Sequence, residues 1–222
     1  VEDWSPPDVP RGMAAFVGIL GADGGETYTA NLGSDKATPQ IAALMQAAHL
    51  PRAVRPAAVR LLRASGQART AMAATHIRPR TATEYWTLTQ ERNAVRDAFL
   101  TALAARRFDA IICPPHALPA LTHGASTQVS LAASYSMIYN LIGFPGGVVP
   151  VTRVRAGEES DRPTTRDSVE KMALVVERGS AGLPLGVQVV APLWREDRVL
   201  ALMAAIEAQV RNREDYPAAP PL

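Results

Sequence analysis

The chain has 222 residues, enough for one sizeable domain or two small ones with a true core. With 47% hydrophobic and 20% charged residues it is globular, which excludes a disordered chain. The net charge of +2 excludes a uniformly basic or acidic surface, and a single cysteine, Cys113, excludes an internal disulfide and fits a reducing, cytoplasmic setting. No run of 18 apolar residues and no secretory leader is visible. The first residue, Val1, hints at a processed or truncated product.

Residues 1–11 are Pro-rich and acidic and read as a linker or an edge segment. The apolar stretch Gly12 to Leu20 fits either helix or strand and is closed by Gly21 and a Gly24-Gly25 turn. That turn lacks the GK[ST] ending of a phosphate loop.

Residues 36–83 carry Lys36 and seven arginines, Arg52, Arg55, Arg60, Arg63, Arg69, Arg78 and Arg80, without an Asp or Glu. Ile41, Leu44, Met45 and Ala48 mark one helix broken near Pro51, and Val59, Leu61 and Leu62 mark a second. This basic helical segment has two readings. It is a solvated face whose carboxylate partners lie elsewhere, which is favoured, or a surface for anionic lipid or another acidic partner. Nucleic acid is disfavoured, because the aromatics that would stack bases are missing here.

Thr81 and Glu84 have capping-box spacing and open a long helix to about Arg107, with Leu88, Val95, Phe99 and Leu103 as its buried stripe. FDAIICP (108–114) reads as a buried strand, so that helix and strand follow in α/β order. After a Pro, His and Gly loop, a helix is expected from Gln128 to Ile142, stopped by Gly143. Leu131, Tyr135, Ile138 and Ile142 form its apolar face, while Ser130, Ala133, Ser134 and Met137 give the other side small and hydroxylated residues. Val148, Val149 and Val151 form a buried strand, 153–181 a charged surface insertion, and GLPLGVQVVAP (182–192) another strand. Trp194 starts a final helix carrying Val199, Met203, Ile206 and Val210, and a Pro-rich tail ends the chain.

No catalytic constellation is complete. There is no GxSxG elbow, Cys113 sits in an apolar run, and neither Lys36 nor Lys171 is near a Gly/Ser-rich loop. His116 and His123 have no third ligand at a metal-site spacing, so no metal site is expected. The chain is organised like an enzyme and lacks its reacting groups.

Two motifs are specific: YN-x-x-x-FP-x-GVVPVT within SYSMIYNLIGFPGGVVPVT (134–152), and GLP-x-x-VQ-x-VA-x-x-W within GLPLGVQVVAPLW (182–194). With FDAIICPP and the EYW-containing helix, they make the chain resemble the amidase signature hydrolases, and among them the fatty acid amide hydrolases. The resemblance covers most of the chain after about residue 10 and is loose in 36–83. It implies an α/β fold with a mixed sheet flanked by helices on both faces, of which residues 1–222 would be the C-terminal part. It also implies hydrolysis of amides by a Ser–cis-Ser–Lys triad, without metal or cofactor, and places that triad upstream of everything matched here. No catalytic residue is therefore expected in this chain, and alone it should be inactive.

By position, the resemblance puts the acyl-chain lining on Ser130, Ala133, Met137 and Trp194. Ordinary core packing is the alternative for each. It also places 36–83 at the membrane cap of such enzymes. The partners it implies are an amide substrate, lipophilic or aryl, and the N-terminal half of the same enzyme. Peripheral membrane contact through 36–83 and a homodimer are further expectations. Rival readings are a catalytically empty subunit or interaction module of the same fold, and an amidotransferase-type subunit.

Overall fold

The computed structural model describes residues 1–218, and within them the backbone but not the side chains of Gln40, Ala43, Leu44 and Ala47. The end of the expected Pro-rich tail, 219–222, lies outside the described residues. The chain divides into two compact units. One comprises 1–7, 96–165 and 170–222, the other 8–95 and 166–169. The α/β class expected above is what the chain adopts.

The second unit is helical: α1 (Val9–Leu20), α2 (Glu26–Leu32), α3 (Pro39–Ala48), α4 (Arg55–Ala64), α5 (Ala68–His76) and the first part of α6 (Ala82–Arg106). The ambiguous apolar stretch is thus a helix, and it begins inside the expected linker because Pro10 suits a first helical turn. The segment 36–83 holds three helices rather than two. The α6 cap forms as its spacing predicts: the Glu84 amide donates to Thr81 Oγ1 (3.2 Å) and the Thr81 amide to Glu84 Oε2 (2.8 Å).

In this unit several arginines of the segment find partners within reach. Arg78 and Arg52 meet Glu84, at 2.6 and 3.8 Å, and Arg69 meets the buried Asp167 at 3.2 Å. Arg55 is itself buried, and its two terminal nitrogens donate to the carbonyls of Ala48, Leu50, Ala74 and Ile77. Leu61, placed with the apolar side of α4 by its spacing, is instead 71% exposed.

The first unit is built on a three-stranded antiparallel sheet in the order β1 (Ile111–Cys113), β3 (Pro184–Val190), β2 (Gly146–Arg153). Register aligns Cys113, Gln188 and Val148 across it, and Ile112, Val189 and Gly147 in the next row. Alternation along each strand sends those rows to opposite faces. On the Gly147 face lies α9 (Glu196–Val210): Val199, Met203 and Ile206 pack on Val189, and a Cβ on Gly147 would overlap Met203 Sδ. The Gln188 face carries α7 (Ser134–Ile142), joined to it through Cys113 and Gln188. The helix expected from Gln128 is shorter. Ser130–Ala133 is a 3₁₀ turn, α7 starts at Ser134, and Gly143 ends it at φ 75°.

Beneath α7 the core centres on Phe99 of α6, which is fully buried. Its ring stands edge-on to Trp4, Tyr139 and Phe144 with centroids 6.2, 6.3 and 6.2 Å away. Such T-shaped pairs each add about 1 kcal/mol beyond area burial. Tyr135, read onto the apolar face of α7, is 42% exposed, and the strand residues Ile112 and Val148, expected to be buried, are about half exposed. The two strands that carry them are the outer strands of the sheet, which leaves each with an uncovered flank among the described residues.

Candidate functional site

Two features of the first unit concentrate chemistry. The first is the junction of α7 with the sheet. Gln188 is a buried polar residue inside an apolar strand, and burial obliges it to find partners. Its Nε2 donates to the Tyr135 carbonyl at 3.2 Å and to Cys113 Sγ at 3.5 Å, and the thiol lies 3.9 Å from Tyr139 Oη. Burial pushes the Cys113 thiol and the Tyr139 phenol above their ordinary values, so both stay protonated near neutrality. These groups satisfy one another, and none is poised as a nucleophile beside a base. The lone glutamine in VQVV, not among the site residues expected from sequence, is the one local sign of this junction, because a polar residue in a buried strand demands a partner.

The second is an open cleft of about 1120 Å³ at the end of the sheet. Its apolar lining includes Ile112, Leu118, Leu121, Val148 and Val187, and its polar lining includes Thr152, Arg155, Glu158 and Glu177. The charged residues come from the segment 153–181, read from sequence only as a surface insertion. That segment leaves and rejoins the sheet through a closed neck. Val154 pairs with Leu183 and Gly182 through backbone hydrogen bonds of 2.9 and 2.8 Å, and Arg153 donates to the Gly182 carbonyl at 2.8 Å.

Within the insertion, Arg162 bridges Glu170 and Glu177 of α8 (Ser168–Glu177), and Ser160 donates to Glu177. Burial raises the Glu177 pKa, but the bonds from Arg162 and Ser160 outweigh it and hold the carboxyl below the usual range. The cleft wall is therefore an ion-paired surface. His116, on the opposite loop, accepts the Leu118 amide at Nδ1 (3.1 Å). Among the described residues no group of three His, Cys, Asp or Glu side chains could hold a metal ion.

The four residues assigned from the resemblance fall near α7 and after β3, and none of them lines the cleft. Ser130 is exposed at the start of the 3₁₀ turn, Ala133 half-buried at its end, and Met137 half-buried on α7. Trp194 sits between β3 and α9, 85% exposed, with a left-handed backbone at φ 63°. A tryptophan held at positive φ and in solvent bears backbone strain with little burial in return.

The family model for amidases matches residues 1–200. The chain is 30% identical over 207 residues to fatty-acid amide hydrolase 1 of Sus scrofa, covering 91% of this chain and 35% of that protein. To fatty acid amide hydrolase 1 of Caenorhabditis elegans it is 35% identical over 123 residues, 54% of this chain and 22% of that protein. A solved structure of fatty acid amide hydrolase superimposes with a TM-score of 0.68 at 17% identity, over 96% of this chain and 34% of its own. The chain thus spans about a third or less of the length of the relatives it matches.

Proposed function

The chain belongs to the amidase family, and we propose that it is the pocket-forming, C-terminal portion of a serine amidohydrolase acting on lipophilic, fatty acid-type or aryl amides. The nucleophilic serine, the bridging cis-serine and the lysine base of such an enzyme lie outside residues 1–222. In that reaction the serine attacks the amide carbonyl while its proton passes through the bridging serine to the lysine and on to the leaving amine. This chain's part is to hold the acyl group, through Ser130, Ala133, Met137 and Trp194. A flexible thioether and an indole beside small residues suit an elongated apolar group.

The observation that carries the reading is the α7–sheet junction. Its polar groups, Cys113, Gln188 and Tyr139, are engaged with one another rather than set for proton transfer. Lys36 and Lys171 are both exposed, which suits neither as a buried base. Peripheral membrane contact belongs to the same proposal. It would use the segment 36–83, where α4 carries exposed Arg60, Leu61 and Arg63. A cytoplasmic setting and a homodimer complete it.

A fluorophosphonate probe tests the reading. The full-length protein should label on a serine outside 1–222, and no serine within 1–222 should carry the adduct. Labelling of a serine inside 1–222 would contradict it, and an unlabelled full-length protein would favour a catalytically empty subunit.

A further inference from the structure

The chain after α9 turns back on the sheet. Asp215 Oδ2 accepts the Thr152 hydroxyl at 2.6 Å and faces Arg155 at 3.5 Å. Tyr216 Oη adds a 3.4 Å bond to Glu207 on α9, which ties the turn to the helix it leaves. Thr152 follows the one irregularity of β2, a bulge between Pro150 and Thr152. A bulge leaves an extra residue out of the ladder, and Pro150 has no N–H to offer, so pairing is interrupted between Pro150 and Thr152. It resumes at Thr152 and Arg153 and in the neck at Val154. Thr152 and Arg155 both line the cleft. One carboxylate therefore restrains two residues of the cleft wall just past that interruption. Bonds from the Thr152 hydroxyl, first, and from Arg155 keep the Asp215 carboxyl below its ordinary pKa.

We propose that residues 211–218 are a strap latched to the bulged end of β2 by Asp215, and that this latch sets the cleft wall at Thr152 and Arg155. Unlatching frees 152–155 and the strap together, without loosening the centre of the sheet. The cleft then widens at its polar side, where the 153–181 insertion begins. The bond from Thr152 is short and charge-assisted, which makes it the stronger of the two restraints. Arg155, largely exposed, adds less.

Amide hydrogen exchange on the full-length protein tests the latch, with Asp215→Asn, Thr152→Val and Thr152→Ser beside the wild type. Loss of a charge-assisted bond should speed exchange of amides 152–155 and 211–216 by about tenfold or more in the Asn and Val variants. The β3 amides 186–190 should keep their wild-type rates, and Thr152→Ser, which retains the hydroxyl, should match the wild type. Unchanged rates at 152–155 in Thr152→Val overturn the proposal. So does equal acceleration at 186–190, which reports general destabilisation, and so does a Ser variant as fast as the Val variant. Should Asp215→Asn fail to fold, the Val and Ser pair still decides.

Discussion

Arg55 donates to the Ala74 carbonyl at 2.7 Å, from the first turn of α4 to the last turn of α5. The same guanidinium reaches Ala48 at the end of α3 at 2.9 Å. Helix C-termini present unpaired carbonyls and a partial negative charge, so one buried cation answers two of them at once. Replacing Arg55 with Met would strand those carbonyls and cost about 3 kcal/mol. Arg60→Ala and Arg63→Ala, on exposed positions of the same helix, should stay within about 0.5 kcal/mol. Urea unfolding of the full-length protein, with amide exchange across α3–α5, compares them. Equal effects of all three would refute the clip.

The α6 cap carries a pH signature. Hydrogen bonds from Arg78, first, and from the Thr81 amide hold the Glu84 carboxyl at about 2, against the usual 4.5. A carboxylate whose folded pKa is depressed stabilises the fold above its unfolded value, and that contribution fades as pH falls from about 4.5 through about 2. Carbon-detected NMR titration of Glu84 should find its midpoint near the lower figure, and Arg78→Ala should move it upward. A midpoint at the usual value in the wild type would refute the pairing. Thr81→Ala removes the other half of the box and should cost about 1 kcal/mol.

Glycine at 186 is required by the close approach of β3 to β2. A Cβ there would lie 2.9 Å from both the Val149 carbonyl oxygen and Val148 Cγ1. Gly186→Ala should therefore destabilise by about 1–3 kcal/mol, the range of overpacked cores. Adding Val148→Ala relieves the side-chain contact but leaves the carbonyl one. Thermal melts should show the double variant recovering only part of the loss, and full recovery would show that the backbone approach is tolerated.

What was legible in the sequence was what is local. The Thr81–Glu84 box, the stop at Gly143 and the apolar strand of 182–192 are each fixed by neighbours within a few residues, and each formed. Helices α2 and α5 were not anticipated, because ETYTANL and ARTAMAATH carry too few large apolar residues for a clear period. The burial of Arg55 was hidden for a different reason. Its partners are main-chain carbonyls, which every residue possesses and no side-chain pattern announces. The cleft was equally hidden, since Arg155, Glu158 and Glu177 read as solvated charge until the neck at Val154 folds them onto the sheet. Ile112 and Val148 read as buried because apolar runs do not say which strands lie at a sheet's edge.

The last expectation concerns Trp194, where backbone conformation and proposed use point the same way. A non-glycine residue at φ 63° bears a cost of about 1 kcal/mol that glycine avoids, and an 85% exposed indole returns little packing energy. Trp194→Gly should therefore be about as stable as the wild type, and Trp194→Ala less stable than Trp194→Gly by about 1 kcal/mol. If the indole instead meets the acyl group of an amide substrate, both variants of the full-length enzyme should raise KM for long-chain amides several-fold more than for short ones. Met137→Ala should show the same chain-length dependence. Thermal melts beside KM measured across a series of acyl lengths separate the two effects. A KM change that is independent of chain length would remove Trp194 from the acyl wall, and a Gly variant less stable than the Ala variant would remove the strain.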